Sequence, residues 1–194
     1  MKRISFLSIA LILVINLNAQ QTGSLEDPRD GKTYKTVEIG NQVWMAENLA
    51  YEPSGGNYWA YDNNSGNVMA KYGYLYDWQT AMNVCPTGWH LPSDDEWTQL
   101  IDNVGRYAAT NLKAKSGWTY TGNGIDKYGF SALPGGFRNP GGRFNRFGHQ
   151  GLWWSSTEHS TDSAWYLGIA SSGIHETRYY NPKHWGFSVR CVRD

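Results

Sequence analysis

The sequence predicts an α+β fold in which two helices pack against short antiparallel sheets joined by long irregular loops. Three observations carry this. Two consecutive stretches place apolar residues at helical spacing, each opened by a capping side chain and closed by Pro or Gly. Most of the remaining chain consists of short strand-like segments separated by breaks rich in Gly, Asn and Ser. The 194 residues include 22 Gly, 10 Trp and 13 Tyr. Each aromatic ring buries a large area, so such a chain builds its core from rings rather than from long aliphatic helices.

The chain opens with "MKRISFLSIALILVINLNAQ", a basic start followed by an apolar run from Ile4 to Leu17 and a small, polar exit. This is the layout of a secretory signal peptide over residues 1–20, and the apolar run is shorter than the roughly 20 residues a membrane-spanning helix needs. Residues 21–30 form a short lead-in, and one domain occupies residues 31–194.

"GKTYKTVEIGNQVWMAENL" predicts a β-hairpin, with Gly40-Asn41 as its turn. The stretch "EPSGGNYWAYDNNSGN" predicts a loop. In "DWQTAMNVCP", Asp77 caps a helix whose Trp78, Ala81, Met82 and Cys85 fall on one face, and Pro86 ends it. In "LPSDDEWTQLIDNVG", Ser93 and Glu96 form a capping box. Trp97, Leu100, Ile101 and Val104 make the buried stripe there, and Gly105 is the stop. Beyond Gly105 the chain predicts only strands and loops. The strands are 129–133, 152–155, 164–169, 175–180 and 186–192. "PGGFRNPGGRFNRFGHQG" is too glycine-rich for regular structure.

Removal of residues 1–20 leaves 15 basic and 17 acidic side chains, a net charge of −2. With no single-sign charge run, this excludes nucleic acid and anionic membranes as expected partners, and no membrane insertion of the mature chain is expected. Export delivers the chain to an oxidising space, where Cys85 and Cys191, its two cysteines, are expected to pair. The link would join the first helix to the last strand. Closing so long a loop stabilises by about 4–5 kcal/mol in chain-entropy terms.

"DPRDGKTYKTVEIGNQVWMAENL", "CPTGWHLPSDDEWTQL", "ALPGGFRN", "GLWWSSTE" and "WGFSVRCVRD" together resemble the Fibrobacter succinogenes major paralogous domain family, over essentially the whole mature chain. The resemblance implies an exported bacterial protein, secreted, periplasmic or held at the cell surface. It also implies a C-type-lectin-like fold with adjacent chain ends, in which a cysteine of the first helix pairs with one of the last strand. "GWHLPSDDEWTQL" further resembles a segment of formylglycine-generating-type proteins, with His90 where those carry Arg.

No metalloprotease helix and no nucleophile elbow occur in the sequence, and Ser155 and Ser156 follow two tryptophans in a strand, where hydroxyls are usually structural. The formylglycine-generating-type reaction uses cysteines, which the disulfide consumes here. The calcium-holding triplets of sugar-binding C-type lectins are absent. Glu158 and Asp162 remain as candidate calcium ligands, against the expectation of no cofactor. For ligand recognition the candidates are Trp59 and Trp118, in loops with Tyr58, Tyr61 and Tyr120, where rings can stack on sugar faces. Arg138, Asn139, Arg143 and Arg146 are the others, on a long loop whose guanidinium groups could grip carboxylates or hydroxyls. The functional expectation is an exported, non-catalytic binding or adhesion module whose partner is polysaccharide or a surface protein. A structural or protein-interaction domain is the alternative, and a formylglycine-generating-type enzyme the second alternative.

Overall fold

The computed structural model describes residues 21–67 and 71–194, so the signal-peptide segment 1–20 lies outside the described residues. The chain is α+β. In order it forms β1 (Thr22–Glu26), β2 (Thr33–Ile39), β3 (Gln42–Met45), β4 (Tyr58–Trp59), α1 (Ser65–Asn67), β5 (Leu75–Tyr76), α2 (Trp78–Ala81), β6 (Trp89–His90), α3 (Asp94–Val104) and α4 (Ala108–Leu112). The second half is β7 (Phe137–Arg138), β8 (Phe144–Asn145), β9 (Gln150–Glu158), β10 (Ser163–Ala170), β11 (Glu176–Pro182) and β12 (Val192–Arg193). A five-stranded sheet runs β1-β2-β3-β12-β6, and a three-stranded sheet runs β11-β10-β9. β4–β5 and β7–β8 are separate ribbons.

Strands with both faces covered organise the interior. Trp44 of β3 joins one apolar cluster and its neighbour Met45 joins the other. β9 repeats this with Trp153 on one side and Trp154 on the other. Successive side chains of a strand point to opposite faces, so an unbroken apolar run implies packing on both. The first cluster is closed by α3 and α4 through Trp97, Leu100, Val104, Ala109 and Leu112. The second is closed by α2 and the C-terminal segment through Trp78, Phe187, Val189 and Cys191.

The hairpin β2–β3 forms in the expected register, with Ile39 opposite Gln42 across Gly40, whose φ of 63° suits glycine. α3 forms as read, with Ser93 and Glu96 making both halves of the capping box and Gly105 at the end. Several other expectations are corrected. Residues 21–30 are not a bare lead-in: Thr22–Glu26 pairs antiparallel with β2 and makes the sheet edge. The helix opened by Asp77 stops at Ala81, because Asn83 and Val84 turn back onto Thr80 and Ala81 and Pro86 disfavours a helical Cys85. Met82 is consequently exposed and Cys85 follows the helix rather than riding on it.

α4 is a helix that the apolar pattern does not announce; it starts after Tyr107, which has a left-handed φ of 65°. Residues 129–133 make no strand. Ser131 sits at φ 52°, held by Asp126, whose carboxylate accepts from its amide and hydroxyl at 2.7 and 2.6 Å. Gly186, Phe187 and Ser188 make single bridges to Arg138, Tyr76 and Trp153 in turn, so this segment threads between elements instead of extending one ladder.

Cys85 and Cys191 are bonded, with Cα atoms 5.9 Å apart across 106 positions of sequence. The bond ties the C-terminal segment to the turn after α2. No helix among the described residues is long and apolar enough to cross a membrane.

Candidate functional site

The three-stranded sheet has one face turned to α3. Arg178 on β11 reaches across that face to form a two-pronged ion pair with Asp94. Its other face begins under the second cluster, at Trp154 and Tyr166, and continues into a surface groove. Pairing places Gly168 opposite Leu152 on β9 and opposite Thr177 on β11, so these three residues share the groove face. Gln150 and Asn181 lie on the same face at the two ends.

The groove has a volume of about 240 Å³ and is walled by Phe137, Tyr166 and Trp185. Phe137 and Trp185 pack at 5.3 Å between ring centroids. Leu152 and Gly168 form the floor; a Cβ on Gly168 would come 3.1 Å from Leu152 and 3.3 Å from the Tyr166 ring, so glycine keeps the floor low. Burial pushes the Tyr166 phenol pKa up, with Tyr179 adding to it, which keeps the hydroxyl neutral. Among the described residues, the side chains of Gln150, Thr177 and Asn181 have no hydrogen-bond partner in the protein, and no charged side chain lines the groove.

The residues singled out in the sequence fare differently. Trp118 is not a loop ring reaching solvent. It is buried in the first cluster, with its indole N–H donating to Ala132 O at 2.9 Å and the Lys113 ammonium 5.4 Å from its ring. Trp59 lies in β4, half-buried, with its ring against Gly186 and the Arg138 guanidinium 4.1 Å from its centroid. Trp59 and Arg138 thus bind each other.

The stretch around Arg138 is not irregular: Phe137–Arg138 and Phe144–Asn145 form a hairpin. Asn139 closes that turn, its amide donating to Arg143 O at 2.9 Å and its side-chain oxygen accepting from the Arg143 amide at 3.0 Å. Arg143 and Arg146 are exposed, and Arg146 has a left-handed φ of 65°. The hairpin's contribution to the groove is Phe137.

Glu158 pairs with Lys183 at 2.6 Å, and the backbone carbonyl of Asp162 accepts from the Lys183 amide. Among the described residues no group of three or more His, Cys, Asp or Glu comes together as a metal site. Ser155 is fully buried, with its hydroxyl accepting from the Thr157 amide. Both sulfurs are in the disulfide.

Sequence reasoning missed the groove because its polar members are Gln, Thr and Asn on strands, with no motif and no fixed spacing. The signal that existed was Gly168 in mid-strand, which marks a close approach or an open floor.

Fold and surface define a small α+β domain, stapled by one disulfide, with an uncharged aromatic depression on a rigid sheet. The chain belongs to the Fibrobacter succinogenes major domain family, whose model matches residues 37–193. No curated protein and no solved structure matches the chain.

Proposed function

We propose that this protein is an exported, non-catalytic binding or adhesion module of C-type-lectin-like architecture, and that its ligand is polysaccharide. The observation that carries the reading is the ring-rich outer surface of the β9–β11 sheet and the segments beside it. Phe137, Tyr166 and Trp185 are half-buried there and Tyr179 is exposed, all on or next to paired strands that hold their positions. Rings of this kind offer apolar faces to the C–H faces of sugars, and a rigid strand spares the ordering cost that a mobile loop would add.

The cysteines support the non-catalytic side of the reading. A formylglycine-generating-type reaction needs free thiols, and Cys85 and Cys191 are joined to each other. Export rests on the apolar segment at residues 1–20 and agrees with an oxidised cysteine pair.

A binding screen of the oxidised domain against soluble polysaccharides, with calcium and with chelator, tests the reading. Retention on at least one polysaccharide is the expected result. No retention on any of them, together with a stable protein partner in cross-linked surface extracts, would replace it with the protein-interaction reading.

A further inference from the structure

The three unengaged side chains of the groove specify what it takes. Gln150, Thr177 and Asn181 come from β9 and β11, two different strands, yet all present hydrogen-bonding groups to one depression. None of the three has a side-chain partner among the described residues. Gln150 and Asn181 are half-buried and Thr177 is exposed, so all three face water in the free protein, held in place by paired strands and open to a ligand. An amide offers both donors and an acceptor, and a hydroxyl offers one of each, which matches the alternating donor and acceptor demand of vicinal sugar hydroxyls. The walls are rings, and no charged side chain lines the space among the described residues.

We infer that this groove is a saccharide subsite for one uncharged monosaccharide unit, bound without a metal ion. This rests on the polysaccharide-binding reading and gives it a location and a ligand class. The volume of about 240 Å³ falls below the roughly 300–1,000 Å³ of sites for drug-sized ligands, so it fits one ring rather than a chain segment. The ring's apolar face lies on Tyr166 or Trp185, and its hydroxyls reach Gln150, Thr177 and Asn181. A uronic acid or sulfated sugar finds no cation there and loses its hydration without replacement. Gly168 sets the depth: with a side chain at that position, the floor rises against Leu152 and Tyr166.

The test uses the oxidised mature domain and its Thr177→Val, Asn181→Leu and doubly substituted variants. The probes are neutral glucan, mannan and xylan oligosaccharides, with oligogalacturonate as the anionic comparator, all measured with chelator present. Because these side chains bond to nothing in the protein, the variants should melt with the wild type. Each single change should weaken binding of the neutral oligosaccharide about fivefold, as expected for one hydrogen bond, and the double change more than either. Wild-type affinity in the double variant would overturn the groove assignment while leaving polysaccharide binding in place. Preference for oligogalacturonate, or binding abolished by chelator, would overturn the ligand class. Failure of the wild type to bind any oligosaccharide or polysaccharide would overturn the binding reading itself.

Discussion

Arg190 donates through Nε to Asn48 Oδ1 at 2.9 Å, and the same oxygen accepts from the Trp153 indole at 2.9 Å. Arg190 is fully buried. Its other donors go to the backbone carbonyls of Phe130 and Ser131, and its guanidinium lies 4.4 Å from the Phe130 centroid. Burial pulls its pKa down to about 9; Asp126 and Glu47 oppose this only from a distance, and among the described residues no carboxylate pairs with it. Asn48 also donates to Tyr72 O at 2.8 Å, so one amide joins the C-terminal segment, β9 and the segment before β5. Asn48→Ala therefore strips a partner from two buried donors, one of them charged. It should cost about 3 kcal/mol or more in denaturant unfolding. A loss below about 1 kcal/mol would show that water enters and takes the place of the amide.

The disulfide should act globally. Cys85→Ala with Cys191→Ala opens a loop of 106 positions and should lower stability by about 4–5 kcal/mol, read as a lower denaturant midpoint. An unchanged midpoint on reduction of the wild type would sink this expectation.

His90 gives the protein a pH dependence. Its ring lies between Asp194 and Glu96, at 2.6 and 2.8 Å. Partial burial works against the cation, but the two carboxylates overcome it and raise the imidazole pKa. A pKa raised on folding contributes stability that is complete below the unfolded value near 6.5 and is lost as pH rises through the folded value. The ring is well exposed to solvent, so the effect should stay under about 1 kcal/mol. Unfolding free energy should decline as pH rises above the unfolded value of 6.5, and His90→Asn should flatten that part of the curve. An identical slope in the variant would assign the dependence elsewhere.

Ser93→Ala removes the side chain that accepts from the Glu96 amide at the start of α3 and should cost about 1 kcal/mol. Thermal melting of the variant measures it, and a Gly at the same position should cost less than Ala.

Trp118→Ala should behave as a core lesion. The ring fills the first cluster, and its removal should destabilise by about 3–5 kcal/mol. At temperatures where the variant is still folded, polysaccharide binding should be retained. Selective loss of binding in a folded Trp118 variant would reverse the assignment of this residue to the core.

Local signals were legible where local forces decide. Ser93, Glu96 and Gly105 bound α3 because capping groups satisfy backbone groups within one turn, and Gly40 sits at the β2–β3 turn because φ is positive there. The cysteine pair was legible because the sequence holds two cysteines and an export-like start. Arg190 was not. In "GFSVRC" the alternation puts Phe187, Val189 and Cys191 on one side, which is buried, and a charged residue on the other reads as solvent-facing. It is buried because carbonyls of the 130–131 segment and the Asn48 amide come to meet it across more than 50 positions of sequence.

Trp59 and Trp118 make the same point for recognition. Both read as loop rings free to stack, and tertiary contacts commit one to Arg138 and the other to the core. The groove residues gave the opposite error of omission, because Gln150 on β9 and Thr177 and Asn181 on β11 share one face only when both strands pair with β10. By itself the sequence determined the α+β class, the capped helix α3, the β2–β3 hairpin and the cysteine pairing, all of which rest on neighbours along the chain or on composition. The tertiary structure alone decided which rings are core, where the buried cation sits and which polar side chains are left open, because those depend on what the chain brings to a residue from far away.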